Sequence, residues 1–510
     1  MGWEEDGKIA QAEDGAANGD SNGSAVYDPT KFDEDGKPRR KGIYPLSLQG
    51  FPLLNLDPHA GNVMTASAHV ITAVIGSGVL SLAWSIAQMG WIAGPSVLLL
   101  FAAVTYYTSC LLADCYRYPD PVTGKRNYTY METVQANLGP KQVWACGLVQ
   151  YSNLLGTSIG YTITGAQSAR AITKSNCFHS NPDSPCLRSN NGYMISFGIV
   201  QLVLSQIPNF GELWWLSYVA AGMSFIYSTI GLGLGIGKIA EGGYSHGSIS
   251  GTSIGDPSLA GYNTPAQKTW NVFNALGDMA FAYSFSLILI EIQDTLRAPP
   301  AENKSMKRAT LIAILTTTGF YMSVGCAGYA AFGNASQGNL LTGFGFYNPY
   351  WLVDFANACV VVHLVGAYQV YTQPLYAFIE EWVSSKFPKS NFINKEHYVK
   401  LPFGAPLPIN HFRLVWRSIY VVMTTIVSML LPFFNDILGL IGAFAFWPLT
   451  VYFPVEMYIH QTRLPRWSQK WILLQSLSVV TFVVSLAAAI GSVASIVADV
   501  KGYKPFGNDA

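Results

Sequence analysis

Charged residues are scarce in this sequence. Only 12% of its 510 residues are Asp, Glu, Lys or Arg, whereas about a quarter is usual for a soluble domain. Half of the residues are hydrophobic, and the 30 basic side chains balance the 30 acidic ones. The scarcity of charge indicates that lipid is the solvent of this chain, and the neutral balance gives no indication of a nucleic-acid partner.

Metal-ligand spacing and a cleavable leader are also missing. The seven cysteines lack the spacing of zinc or haem sites, so no metal or cofactor is expected. The polar residues suggest no nucleophile with its base, which argues against an enzyme. The acidic, Gly-rich start of the chain has no basic segment followed by an apolar one, so it does not resemble a signal peptide. Residues 1–45 are expected to form a disordered cytoplasmic tail.

Long apolar runs, in contrast, are abundant. Runs of at least about 18 residues predict membrane-spanning helices. Eleven segments are predicted, numbered here as spans 1 to 11: 62–87, 92–116, 142–171, 192–208, 214–237, 270–294, 309–332, 350–379, 414–433, 435–459 and 471–498. They predict an all-α polytopic membrane protein whose transmembrane domain covers residues 46–500.

The basic residues predict the orientation of the spans. Most of the 30 lie in the N-terminal tail or between spans 2 and 3, 6 and 7, 8 and 9, and 10 and 11. Because basic loops stay in the cytoplasm, the N-terminus is expected inside and residues 501–510 outside. Cys177 and Cys186 then lie outside, where a disulfide is favoured over two free thiols.

Two connections carry weaker signals. The Gly/Ser-rich segment after span 5 predicts a flexible outer loop. The basic segment between spans 8 and 9 contains Pro402, Pro406 and Pro408, which predicts an irregular cytoplasmic loop.

Two spans contain interruptions. Span 1 has Gly76-Ser77-Gly78 near its centre, and span 6 has Gly277-Asp278 followed by the aromatic-rich stretch 281–284. They lie five spans apart, as expected if residues 62–237 and 270–459 are inverted repeats with 471–498 as an additional helix. Broken helices offer free N–H groups to a carboxylate and free carbonyls to an ammonium, which matches an amino acid. The alternative is that the glycines only permit close helix packing.

Ionisable groups inside the spans are the next candidates, since charge is costly in hydrocarbon. His69 precedes the first interruption by two turns, and Asp278 lies at the second. His69 could handle a proton or simply hydrogen-bond two helices together. Asn153, Thr157 and Tyr161 form a polar stripe on span 3 that faces either substrate or another helix.

Several long motifs resemble one family. "IGSGVLSLAWSIAQMGWIAGP", "VQYSNLLGTSIGYTITGA", "FNALGDMAFAYSFSLILIEIQDTLRAPP" and "GYKPF" are similar to the plant amino acid permeases of the amino acid/auxin permease family, within the amino acid–polyamine–organocation superfamily. The resemblance implies an eleven-span, 5+5 inverted-repeat transporter of the plasma membrane. It also implies symport of amino acids with protons into the cell.

The resemblance also suggests site residues. It places backbone contacts to substrate on the first interruption and side-chain contacts on the second, and it matches the histidines of the family with His69 and His363. Thr72, from the last turn before the first break, and two residues of the span 3 stripe are added to this set. The predicted substrate-binding residues are then Thr72, Ile75, Gly76, Ser77, Gly78, Asn153, Thr157, Phe281, Ala282, Tyr283 and Ser284. His69, Asp278 and His363 are the candidates for proton coupling, and the protein is expected to work as a monomer. An auxin or GABA carrier of the same family, or a transporter-like nutrient sensor, is the alternative.

Overall fold

The computed structural model describes residues 61–181, 186, 189–207, 214–243, 245–259, 261–399 and 407–503. The predicted tail 1–45 and the C-terminal residues beyond Tyr503 lie outside the described residues.

Helices account for most of the described chain. The first half contains α1 (Val63–Val74), α2 (Gly78–Cys115), α3 (Tyr130–Leu138), α4 (Pro140–Ser180), α5 (Asn190–Ser205) and α6 (Trp214–Gly242). The second half contains α7 (Pro265–Ala282), α8 (Leu289–Asp294), α9 (Glu302–Phe332), α10 (Leu340–Gly343), α11 (Tyr350–Lys386), α12 (Asn391–Asn394), α13 (His411–Leu430), α14 (Phe434–Ala445), α15 (Phe453–Thr462) and α16 (Gln469–Gly502). A π-helical turn, Phe446–Tyr452, joins α14 to α15.

Short strands occur only in connections within the described residues. The pairs are β1 (Arg117–Tyr118) with β2 (Lys125–Arg126), β3 (Ser253–Ile254) with β4 (Tyr262–Asn263), and β5 (Glu396–Val399) with β6 (Leu407–Asn410). The β5–β6 pair is antiparallel and lies between spans 8 and 9, where the prolines predicted an irregular loop. That prediction is wrong for the ends of the segment, because β5 precedes the three prolines and β6 contains the last of them, Pro408, which is paired with Tyr398.

The described residues contain eight helices that are long and apolar enough to cross a membrane: Gly78–Cys115, Val219–Gly242, Pro265–Asp294, Glu302–Ala335, Tyr350–Lys386, His411–Leu430, Phe434–Thr462 and Gln469–Lys501. The protein is therefore a mostly helical, multi-pass membrane protein. The helix α2 contains the second part of predicted span 1 and most of predicted span 2, joined across a kink. The helix α4 is less apolar than these eight helices, and α5 is shorter. The count of eleven spans and the repeat relation stay predictions.

The kink in α2 lies at Gly90, where spans 1 and 2 were predicted to separate. Gly90 has φ +83°, a conformation that favours glycine. A Cβ there would also overlap the carbonyl oxygen of Ile249. The Trp91 N–H donates to the Ser248 carbonyl at 3.1 Å, and the Thr252 N–H donates to the Ala87 carbonyl at 2.9 Å. The Gly/Ser-rich connection, predicted to be flexible, thus satisfies backbone groups that the kink leaves without helical partners.

Small residues let the central helices touch along their backbones. The helix α7 packs against α2, α14 and α16. A Cβ on Gly277 of α7 would overlap the Gly439 carbonyl, and one on Gly442 of α14 would overlap the Gly277 carbonyl. Close approach of this kind is how glycine promotes helix association in membranes.

Cys177 and Cys186, the predicted pair, form a disulfide in the structure, with Cα atoms 5.9 Å apart. This spacing is usual for a bridged pair. The link holds the end of α4 to the connection that leads into α5.

Candidate functional site

The first helix break follows α1. The Asn62 side chain caps the start of α1, accepting hydrogen bonds from two backbone N–H groups. The helix ends at Val74, and α2 begins at Gly78. Ser77, the N-cap of α2, makes no side-chain cap bond, and its buried Oγ has no partner among the described residues. The α2 N-terminus therefore presents donors that no side chain satisfies.

The second break follows α7. This helix opens with Pro265 at its first position and a capping box between Thr264 and Gln267. It ends at Ala282 and continues as irregular turns before a 3-10 turn, Ser286–Ile288, and α8. The first predicted interruption thus lies between two helices. At the second, Gly277 and Asp278 lie inside α7, and the helix ends within the stretch 281–284.

The two breaks lie against each other. A Cβ on Gly78 would lie 3.4 Å from the Cα of Ala282 and 3.4 Å from the Phe281 ring. Tyr321 of α9 adds a direct link, because its hydroxyl donates to the Val74 carbonyl and lies 3.2 Å from the Ala282 carbonyl. A single buried hydroxyl therefore joins the carbonyl ends of α1 and α7.

A small cavity of about 30 Å³ lies between the breaks. Its lining residues are Ala73, Val74, Gly76, Ser77, Gly78, Asn153, Thr157, Tyr161, Phe281, Ala282, Ser284, Phe285 and Tyr371. The polar stripe of span 3 thus faces the breaks, and the Asn153 Nδ2 has no partner among the described residues. Because the cavity has room on the scale of a water molecule, a larger ligand requires the lining side chains to move.

Three of the predicted substrate residues do not line this cavity. Thr72 directly precedes Ala73, the first lining residue on α1, and Ile75 is completely buried. Tyr283 turns toward α9, where its hydroxyl donates to Thr318 Oγ1 at 3.0 Å. Conversely, sequence reasoning missed the lining residues Ala73, Val74, Phe285 and Tyr371. The break that exposes Phe285 continues beyond the four residues singled out, and nothing in the spacing of span 8 distinguishes Tyr371.

His363 lies directly behind the first break. Its Nδ1 is 2.7 Å from the Ala220 carbonyl of α6, and because a carbonyl only accepts, Nδ1 carries the proton. The Nε2 has no partner among the described residues, and it lies 3.7 Å from the position of a Cβ on Gly76. The Nε2 of the ring therefore faces the backbone of the break, where it can accept a proton.

The other two titratable candidates are separate from the cavity lining. His69 is partly buried on α1 and lines neither this cavity nor the larger one described below. Asp278 is completely buried on α7, where its Oδ2 accepts from Ser85 Oγ of α2 at 3.2 Å. Asp278 thus connects the two helices whose ends form the breaks.

A second, larger cavity of about 750 Å³, called the vestibule here, lies on the α2 and α7 side of the breaks. Its wall includes Trp84 of α2 and Trp270 of α7, together with Arg170, Lys174, Asp354, Asp436 and Asp499. On the other side of the breaks, main-chain hydrogen bonds join Gly61 before α1 to Thr295 and Arg297 after α8, at 3.1 and 2.9 Å.

Interrupted helices around a polar cavity, in a bundle of apolar helices, define a class of membrane protein to which secondary transporters belong. The family model of the transmembrane amino acid transporter protein matches residues 59–498. The chain belongs to this family, which consists of transporters rather than enzymes, and the resemblance to plant amino acid permeases is confirmed.

Two relatives from Arabidopsis thaliana show how closely the chain matches. It is 61% identical to amino acid permease 3 over 88% of this chain and 93% of the relative. It is 56% identical to amino acid permease 4, over 93% and 97% of the two chains. Among solved structures, it is similar to MhsT in complex with L-phenylalanine, with 13% identity, a TM-score of 0.49, and coverage of 84% of this chain and 98% of the other.

Proposed function

We propose that this protein imports amino acids together with protons across the plasma membrane by alternating access. In this proposal eleven spans form a 5+5 inverted repeat with an additional helix, the N-terminus is cytoplasmic and the C-terminus is extracellular. One monomer carries the complete substrate pathway. Family membership supports the amino acid substrate, and the coupling ion is the proton.

The meeting of the two breaks is the observation that carries the proposal. The N-terminus of α2, with Ser77 unpartnered, suits the carboxylate of an amino acid. The carbonyl ends of α1 and α7 suit its ammonium. Asn153 and Thr157 complete a polar wall, while Phe281 adds an aromatic surface for the side chain.

The two sides of the breaks support alternating access. The vestibule opens the α2 and α7 side, which is the outer side in the predicted orientation. The main-chain bonds of Gly61 close the opposite side. The structure therefore suits a carrier that receives substrate from outside and must part α1 from α8 to release it inside.

Proton coupling is proposed on three groups. His363 presents a free Nε2 to the first break, so its protonation would add a charge beside the substrate carboxylate site. Asp278 links α7 to α2 through Ser85. His69 lies further along α1 and is the third candidate.

The test is substrate-evoked inward current in oocytes as external pH is lowered. Currents for neutral amino acids are expected to rise with acidity, and His69→Ala, Asp278→Asn and His363→Gln assign the coupling group by reduced pH dependence. A wild-type current that ignores pH would refute proton coupling. Competition between a labelled neutral amino acid and indole acetate or GABA separates an amino acid permease from the alternative carriers.

A further inference from the structure

Three carboxyl groups lead from the vestibule into the junction of α7, α14 and α16. Asp499 of α16 is exposed at the vestibule wall, and Asp436 in the first turn of α14 is 6% exposed at the same wall. Asp278 of α7 is completely buried. The sequence gives no reason to group them, because they lie on three separate helices.

The carboxyl groups of Asp436 and Asp499 are within hydrogen-bonding contact. A carboxylate can only accept a hydrogen bond, so two ionised groups cannot form one. Like charges at this distance also repel. A single proton held between the two groups would satisfy this contact.

The neighbouring amide is oriented to suit this proton. Asn274 Nδ2 donates to Asp436 Oδ1 at 2.6 Å, and Asn274 Oδ1 accepts from Ser492 Oγ of α16 at 2.7 Å. Asn274 thus turns its N–H group, not its carbonyl, toward the carboxyl pair. A metal ion would favour the carbonyl, and the described residues contain no group of three or more potential metal-binding side chains.

Asp278 provides a further acceptor deeper in the junction. Its Oδ2 accepts from Ser85, whereas its buried Oδ1 has no partner among the described residues. Asp436 lies on α14, which packs against α7, the helix that carries Asp278. A proton on the carboxyl pair would therefore alter the field at Asp278, which is bonded to the helix that follows the first break.

Other charged groups lie near the pair. Arg170 and Lys174 of α4 line the same vestibule. Arg170 Nη1 donates to Asn190 Oδ1 at 3.4 Å, and the Lys174 ammonium lies 6.0 Å from the centre of the Phe346 ring. The acidic residue that α7 contributes to this junction is Asp278. The helix α16 also carries a basic residue, Lys501, which is exposed.

We propose that Asp436 and Asp499 share one proton taken from the vestibule, and that this pair is the external proton-binding site of the carrier, with Asp278 as the next acceptor inward. The step moves a proton between carboxyl oxygens and breaks no other bond. Its role in transport rests on the proton coupling proposed above.

The test compares Asp436→Asn and Asp499→Asn with wild type and with Asp354→Asn, a matched control. Asp354 lines the same vestibule, but its Oδ2 accepts from Asn176 at 3.0 Å. With substrate-evoked current in oocytes, the proton concentration for half-maximal current is expected to rise about tenfold or more in both variants of the pair. The tenfold figure corresponds to one pKa unit of lost proton affinity. Asp354→Asn is expected to keep the wild-type pH dependence.

A second measurement separates this inference from the proposed function. Infrared spectra of purified protein at neutral pH are expected to contain a protonated-carboxyl band that shifts in D2O and is lost in both Asn variants. A pH-insensitive wild-type current would refute proton coupling, while the band would still support the shared proton. If the band and the pH dependence are the same in wild type and in both variants, the inference is wrong. Asp499→Glu, at the exposed position, is expected to restore both signals.

Discussion

The hydroxyl of Tyr321 is the clearest place to test whether the two breaks act as one unit. Tyr321 is completely buried, and its hydroxyl joins the Val74 carbonyl at the end of α1 to the Ala282 carbonyl at the end of α7. Tyr321→Phe removes one oxygen atom and keeps the ring, including its edge contact with Tyr283 at 5.6 Å between centroids. The substitution therefore tests the link with little change in packing.

The size of the effect follows from the groups left behind. The Val74 carbonyl at the end of α1 loses its donor, the Ala282 carbonyl loses a neighbouring hydroxyl, and an unsatisfied buried polar group costs about 1–3 kcal/mol. If the link exists in the described conformation and not in the alternative one, that energy shifts the equilibrium between them. A shift of about 1–3 kcal/mol corresponds to about 5- to 150-fold.

Two assays report the effect. The apparent affinity for external substrate, measured from oocyte currents, is expected to fall within that range. The melting temperature of the purified protein is expected to fall as well. Tyr420→Phe is the matched control, since Tyr420 is equally buried but its hydroxyl donates to Ser158 Oγ at 2.9 Å, between α13 and α4. The control should lower stability and leave substrate affinity unchanged.

The reasoning would be refuted by a Tyr321→Phe variant with wild-type substrate affinity and wild-type melting temperature. Equal losses of affinity in Tyr321→Phe and Tyr420→Phe would also contradict it. In that case the loss of any buried hydroxyl would lower substrate affinity to the same extent, and the Tyr321 hydroxyl would not be a specific link between the breaks.

Further predictions concern stability, measured by thermal unfolding in detergent. Gly277→Ala should lower the melting temperature sharply, because its Cβ would overlap the Gly439 carbonyl and overpacking costs about 1–3 kcal/mol. Gly319→Ala is the control and should leave the melting temperature unchanged, since nothing lies within 4 Å of its Cβ. Equal effects of the two substitutions would contradict the close packing at Gly277. Gly90→Ala should also destabilise, since it strains a positive φ and displaces the loop at the kink; an unchanged melting temperature would show that the loop contact is dispensable. Cys177→Ser should cost about 2–3 kcal/mol through the short loop that the disulfide closes, and a reducing agent should destabilise the wild type while leaving this variant unaffected.

The helices and their interruptions were predictable because their signals are local. An apolar run of sufficient length favours a helix in lipid wherever it packs. Gly76-Ser77-Gly78 weakens a helix through backbone entropy alone, and α1 ends just before this sequence. The turn at Pro432 between α13 and α14 follows from the missing N–H of proline in the same way.

Contacts between distant helices were not predictable in this manner. Tyr371 lines the cavity and Tyr283 does not, although both are aromatic residues near the middle of a span. Whether such a side chain faces the cavity depends on the rotation of its helix about the helix axis and on where the helix ends. Packing against neighbouring helices determines both. Asp436 and Asp499 were overlooked for a related reason, since each looks like an ordinary carboxylate near the end of an apolar run.

Composition and short motifs determined that this chain resides in a lipid bilayer, that two of its membrane-spanning segments are interrupted, and which family it belongs to. Those properties depend on the solvation and backbone preferences of neighbouring residues. Tertiary structure alone decided that the breaks touch, that one hydroxyl of α9 joins them, and that two carboxyl groups from α14 and α16 share an edge of the vestibule. These features depend on distances between side chains far apart in the chain, and only the packing of the whole bundle sets such distances.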